Sequence, residues 1–276
     1  MEKYIIKADG KKEPYDERKI NSSFKKAGAS PEIAAEATKT INKKIKHNMS
    51  TDEIYYKVLD HLKTLEPGLA LKYSLKRAIM NMGPEGYVFE KYIAKILREY
   101  GFITEVGQVL KGYCVEHEVD VVATKENNTY FIECKYHNSP GTKSDIKTAL
   151  YIHSRFLDIK KAGRIKNSDN TPLEAWLVTN TKCTYDAIEY SSCVGLKVLA
   201  WHYPKTENLQ YFIETRKLYP ISILSTITEG QKETLFDSDI ILVKELAGCN
   251  INKIADLIGA DQEAASKILD EASIIF

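Results

Sequence analysis

No stretch of this sequence stays apolar long enough to cross a bilayer, and its opening, MEKYIIKADG, lacks the basic and apolar regions of a secretion signal. Neither a membrane-spanning nor an exported protein is therefore expected. Cysteine is sparse: Cys114, Cys134, Cys183, Cys193 and Cys249 include no CxxC pair and leave one over from any pairing. That argues against a disulfide framework or a structural zinc site, and makes a reducing cytoplasm the expected location. Low-complexity linkers and long internal repeats are missing too. What remains is an ordinary globular composition, 43% hydrophobic and 28% charged, in 276 residues with room for two domains and a small third.

A strong net charge is also lacking, yet the total of +1 hides an asymmetry. Residues 1–83 carry 17 Lys/Arg against 11 Asp/Glu, a balance of +6, whereas residues 220–276 carry 4 against 10, a balance of −6. An anionic ligand is expected at the N-terminal end and phosphate contact is least expected in the tail.

Periodicity divides the chain into three segments. The first has a short strand, YIIK, a turn, ADGKKEPYD, and helices from Lys19, from Pro31 to Lys46, through Ile54, Val58 and Leu62, and from about Gly68 to Met82. Ser50 and Glu53 have capping-box spacing at the start of the third helix. NMGPEG marks a joint. The second segment opens with YVFEKYIAKILREYG, an amphipathic helix stopped by Gly101, and then alternates apolar strands with helices, the pattern of an α/β unit. The last holds short helices separated by tight turns.

Within the second segment, VDVVATKENNTYFIECKYH reads as a β-hairpin with KENN at its turn. Its apolar strands nevertheless carry Asp120, Glu133 and Lys135. Alternation puts Glu133, Lys135 and His137 on one face and Ile132, Cys134 and Tyr136 on the other. Pairing would bring Asp120 alongside Glu133 and Lys135. Two carboxylates at one point repel unless a divalent cation sits between them, and oxygen ligands with room for water suit Mg²⁺ or Mn²⁺. A lysine beside that ion can orient or deprotonate an attacking water, so metal-assisted phosphodiester hydrolysis is the expected chemistry. The bland reading is an edge hairpin whose charges point into water. His137 is a candidate phosphate contact, or a wet strand end, and Glu118 a more distant ligand.

FEKYIAKILREYGF, HEVDVVA, YFIECKYH and AWLVTNTKCTYDAIEYSSCVGLKVLAW resemble the Mrr-type restriction endonucleases of the PD-(D/E)xK nucleases over roughly residues 84–203. The resemblance implies Asp120 and Glu133 as metal ligands, Lys135 as the catalytic lysine and Glu90 as the family's helical glutamate. Val119 stands where the motif's name has proline. Glu90 lies on the flank of its helix's apolar stripe, which suits either a site residue or a solvated boundary position.

IIKADGKKEPYDERKI, MSTDEIYYKVLDHL and LALKYSLKRAI resemble the ATP-cone, a nucleotide-binding regulatory module, over about residues 3–82. That resemblance implies ATP or dATP contacts at Lys7, Asp9, Gly10, Lys19 and Thr51, with Ala8 where many members carry a basic residue. Lysines flanking a tight turn and a hydroxyl at a helix start suit a triphosphate. The tail resembles tandem helix-hairpin-helix repeats; its acidity favours protein contact or assembly over DNA contact.

The expected architecture is an α/β multidomain: a mostly helical ATP-cone over 1–83, a restriction-endonuclease-like α/β core with a mixed sheet over 84–219, and a small all-α tail over 220–276. The expected function is a Mg²⁺-dependent DNA endonuclease regulated by an adenine nucleotide, with a homo-oligomer as the expected assembly. The alternatives are a nucleotide-responsive DNA-binding protein that does not cut, and a structure-specific repair nuclease.

Overall fold

The computed structural model describes residues 3–7, 10–139, 141–165 and 172–275. The N-terminal unit that resembles an ATP-cone, called the cone below, begins with β1 (Tyr4–Ile6) and β2 (Lys12–Pro14), an antiparallel pair. Helices α1 (Glu17–Lys26) and α2 (Pro31–Lys44) follow, capped by Asp16 and Ser30, with Pro31 in the first turn of α2, where a missing N–H costs nothing. Strand β3 (Met49–Ser50) runs parallel to β1, and α3 (Thr51–Leu65) starts on the expected capping box. Helix α4 (Pro67–Met80) completes the unit. Ile20, Phe24, Ile41, Ile54, Val58 and Leu62 bury its core. Strand β2 falls inside the stretch read as a turn: KKEP has no apolar alternation, and it pairs because it folds back on YII.

Next come α5 (Tyr87–Glu99), β4 (Ile103–Lys111), β5 (Glu116–Lys125), β6 (Asn128–Lys135) and β7 (Lys143–Ser144). They are followed by α6 (Ile146–Ile165), β8 (Leu173–Thr179), β9 (Lys182–Cys183), α7 (Tyr185–Val194), β10 (Lys197–Leu199) and α8 (Leu209–Thr215). Five strands form a mixed sheet in the order β10-β8-β6-β5-β4, parallel among β6, β8 and β10 and antiparallel at β4 and β5. Helix α5 buries Phe89, Tyr92, Ile93, Ile96 and Leu97 against one face. Ala149 and Ile152 of α6 and Ala187 of α7 cover the other, against Ala175, Leu177 and Val198.

The tail contains α9 (Glu229–Asp237), α10 (Val243–Ala247), α11 (Ile251–Ile258) and α12 (Gln262–Ser273). Its core is continuous with that of the sheet. Leu235, Ile241, Leu246 and Ile268 belong to the same buried cluster as Ile93, Ile132 and, from the cone, Leu75 and Ile79. Among the described residues no helix is long and apolar enough to cross a membrane, and all five cysteines are free thiols.

Candidate functional site

The β5–β6 turn consists of Glu126 and Asn127, both at positive φ (54° and 71°), the left-handed pair that a two-residue hairpin requires. From there the ladder runs back to Val121↔Ile132 and stops. Beyond it, Asp120 acts as acceptor: its Oδ2 takes the Cys134 N–H at 2.6 Å. On the other side of β5 the register passes from Val106↔Val121 to Gln108↔Val119, skipping Gly107, whose φ is +64°. Position 120 thus falls outside the regular ladder on both sides, and its carboxylate reaches the end of β6.

The alternation expected along β6 holds. Cys134 is buried in the α5-side core, and the Tyr136 ring lies 5.6 Å from that of Phe89. Glu133 is buried, and its two oxygens meet two cations: Oε1 accepts from Lys135 Nζ at 2.7 Å and Oε2 from an Arg155 nitrogen at 2.5 Å. Arg155 comes from α6 and escaped the sequence reading. The signal was there: it sits three residues after Ile152 and four before Ile159, on the stripe that α6 buries, where an arginine needs a partner.

Glu90, in the first turn of α5, is half-buried and within electrostatic reach of the same group. Burial first, then the charges of Asp120, Glu118 and Glu133, push its carboxyl up to about 7. Asp120 is pushed up to about 6 by burial and the Glu133 charge, against the pull of the Cys134 N–H, Lys135 and Arg155. For Lys135, burial opposes the charge, but the Glu133 hydrogen bond and carboxylate outweigh it and hold the ammonium above its ordinary value. Glu118 is exposed and only adds to the repulsion.

Polar residues at the end of β8 and just beyond it fix the chain as it leaves β6. Thr179 Oγ1 donates to the Lys135 carbonyl at 2.7 Å, and the Asn180 side chain accepts the His137 N–H at 2.9 Å and donates to its carbonyl at 2.8 Å. The His137 ring meets Ser144 Oγ at 3.2 Å, and burial, then the Lys135 charge, lowers its pKa. The site therefore lies at the carboxyl ends of two parallel strands, a usual place for ligands in α/β sheets.

The donor set suits a hard dication in charge: Glu90, Asp120 and Glu133 are oxygen ligands that repel one another. Their arrangement is not yet that of a coordination shell. Among the described residues no three His, Cys, Asp or Glu side chains stand together as one, and Glu133 is occupied by Lys135 and Arg155.

In the cone, Lys7 and Lys19 converge on Glu13, at 3.1 Å and 2.9 Å. Gly10, at φ +78°, makes the tight turn between β1 and β2, and its N–H meets the Lys7 carbonyl at 2.9 Å. Thr51 is the first residue of α3, after the capping Ser50. These four expected contacts share one end of the cone; Asp9 lies outside the described residues.

Comparison with known proteins finds matches at both ends of the chain. Residues 3–81 match the ATP cone domain family, and residues 219–276 match the family described as AF1548-like, C-terminal. The chain thus carries an ATP-cone domain, joined to an α/β unit and a helical tail. It belongs to the AF1548-like family: an uncharacterized protein of Archaeoglobus fulgidus is 35% identical over 180 residues, covering 65% of this chain and 97% of its own. The crystal structure of AF1548, a protein of unknown function, superposes with a TM-score of 0.58 at 33% identity, over 68% of this chain and 97% of that one.

Proposed function

We propose that the protein is a metal-dependent DNA endonuclease whose activity is tuned by ATP or dATP bound to the cone. The observation that carries this reading is the gathering of Glu90, Asp120, Glu133 and Lys135 around one strand end, with the Glu90 and Asp120 carboxyls raised by burial first and by neighbouring carboxylates second. Asp120 and Glu133 are the residues that would hold Mg²⁺ or Mn²⁺. Bound there, the ion would supply Lewis-acid stabilisation of the charge developing on a phosphodiester. Lys135, held as an ammonium by Glu133, positions the attacking water rather than deprotonating it. Glu90, with a value near neutrality, is the group suited to accept the water's proton. The resemblance of the segment to PD-(D/E)xK nucleases, with its mixed sheet and flanking helices, supports the same roles.

In the cone, Lys7 and Lys19 would exchange Glu13 for nucleotide phosphate. The tail's likeness to helix-hairpin-helix repeats gives it a protein-contact role, with DNA contact at the Gly259 turn as the second reading.

The test is nicking of plasmid DNA with and without Mg²⁺. Asp120→Ala, Glu133→Ala and Lys135→Ala should each abolish it while DNA binding survives, because most affinity comes from backbone contacts elsewhere. Wild-type rates in all three would remove the assignment. The engagement of both Glu133 oxygens favours one other reading, a nucleotide-responsive DNA-binding protein that never cuts. Binding with no cleavage under any metal would select it.

A further inference from the structure

A second charged cluster lies where the cone meets the sheet. Lys76 of α4 sits with its Nζ 5.9 Å from the centre of the Trp201 ring. The Trp201 backbone N–H donates to the Thr181 carbonyl at 2.9 Å, which brings in the next residue, Lys182. His202 follows Trp201, their rings 6.0 Å apart. Lys26, in the last turn of α1, is within electrostatic reach of His202 and Lys76. Lys26, Lys76 and Lys182 have no carboxylate within ion-pair distance among the described residues. Their neighbours are one another: burial, then the charges of Lys182 and Lys26, lower the Lys76 pKa, and burial with all three lysines lowers that of His202. Among the described residues no acidic group offsets either.

Packing like charges together without a counterion costs free energy, so their missing partner is an anion. Position says which one. Lys182 is two residues beyond Asn180, which holds His137, and Thr179 holds the Lys135 carbonyl. The cluster and the carboxylate site are thus linked through the carboxyl end of β8, and two of the cluster's lysines are supplied by the cone.

We propose that Lys26, Lys76 and Lys182 form a contact for the phosphate backbone of duplex DNA, spanning cone and sheet and leading to the Glu133–Lys135 site. This deepens the nuclease reading and rests on it for the choice of DNA. It makes the cone part of the substrate surface as well as a nucleotide receptor.

The test is fluorescence anisotropy of a labelled 20-bp duplex with the full chain, in EDTA so that nothing is cut, across a salt series. Lys76→Gln with Lys182→Gln should weaken binding about tenfold or more and lower the slope of log K against log salt by about 2, one for each phosphate no longer neutralised. Lys182 is exposed, so Lys182→Gln alone should fold normally and remove about 1 from the slope. Lys267→Gln, in the tail, should leave the slope unchanged. An unaltered slope in the double variant overturns the proposal. So does weakened ATP binding with DNA binding intact, which would assign the cluster to the nucleotide's phosphates. A change in mass alone would assign it to the acidic tail of a second copy, and equally overturns the proposal. DNA binding that needs these lysines, in a protein that never cleaves, would sink the nuclease reading and leave this DNA-binding surface standing.

Discussion

Asp120 and Glu90 carry a stability cost that the folded chain accepts. A carboxyl whose folded value lies above its unfolded one holds its proton more tightly in the native state, so native stability falls as pH rises across the gap. For Asp120 that window runs from 3.8 to about 6, and for Glu90 from 4.5 to about 7. Both penalties are absent at pH 3.5 and complete at pH 8. Allowing for the water that still reaches these groups, each is worth roughly 1–2 kcal/mol. Asp120→Asn and Glu90→Gln should therefore raise the melting temperature at pH 8 and leave it unchanged at pH 3.5. Lower melting temperatures at pH 8 would mean that the carboxylates are well satisfied as they stand. Arg155 makes the complementary case. Arg155→Gln leaves Glu133 a buried anion with Lys135 alone, which should destabilise the metal-free protein by about 3 kcal/mol. Since the same change empties the position facing Glu133 Oε2, Mg²⁺ should recover more of the loss in this variant than it adds to the wild type. Thermal melts with and without Mg²⁺ decide it, and equal Mg²⁺ effects would reduce Arg155 to a structural bridge.

Among the elements, α5 has the most to connect, because it carries Glu90 at one end and anchors the tail along its length. Lys95 is buried within it, reaching Glu245 at 2.7 Å and Asp239 at 3.0 Å, and Glu245 in turn accepts the Ile241 and Leu242 N–H groups. Lys95→Ala should cost about 3 kcal/mol by denaturant titration, since it leaves a partly buried Glu245 unpaired; a loss below about 1 kcal/mol would place the bridge among ordinary surface pairs. A second latch holds the β4–β5 loop. Asp158 of α6 accepts N–H groups from Cys114 and Val115 and meets His117 at 2.8 Å, and a Cβ on Gly112 would lie 2.1 Å from its oxygen.

The sequence made the capped helices and the hairpin legible, because Ser50, Glu53 and the KENN turn act through neighbours only a few residues away. Strand β4 was missed because its apolar residues, Ile103, Val106, Val109 and Leu110, do not follow a period of two, and Gly107 falls in its middle. Helix α8 is only seven residues long, too short for a period to show. Asp120, Glu133 and Lys135 could be read from one hairpin. The partners of Arg155, Asn180 and Lys95 could not, since they lie 22, 43 and up to 150 residues away.

At the scale of the whole molecule, α4 belongs to two cores at once. Leu69 and Ala70 pack inside the cone, while Leu71, Leu75, Ala78 and Ile79 pack with the sheet and tail. Ser222 donates to the Ala78 carbonyl at 2.8 Å and Lys232 to that of Asn81 at 2.9 Å, so the end of this helix is held by the tail. Cutting the chain after residue 83 would expose Leu75, Ile79 and Met82, and ATP binding is therefore best measured on the full chain, where Lys19→Ala should weaken it about tenfold or more. A nucleotide that shifts the cone helices must also act on α4, and through it on the lysines that face the sheet. Arg77 marks the joint: it stacks on Tyr55 at 4.4 Å and Tyr56 at 5.0 Å and meets Asp52 at 3.3 Å, tying α4 to the helix that begins at Thr51. Coupling of this kind is reciprocal, so if ATP changes DNA affinity by some factor, DNA changes ATP affinity by the same factor. The opposed charges of cone and tail extend the argument to neighbouring chains, because a nucleotide that adds negative charge to the cone weakens its pull on an acidic tail. We expect oligomeric state and cleavage rate to change together with nucleotide, and Arg77→Ala to reduce both responses while leaving ATP binding in place. Light scattering and cleavage on the same samples, with no nucleotide, ATP or dATP, read out both. Identical mass and rate in all three would leave the cone a passive appendage, despite the helix it shares with the rest of the chain.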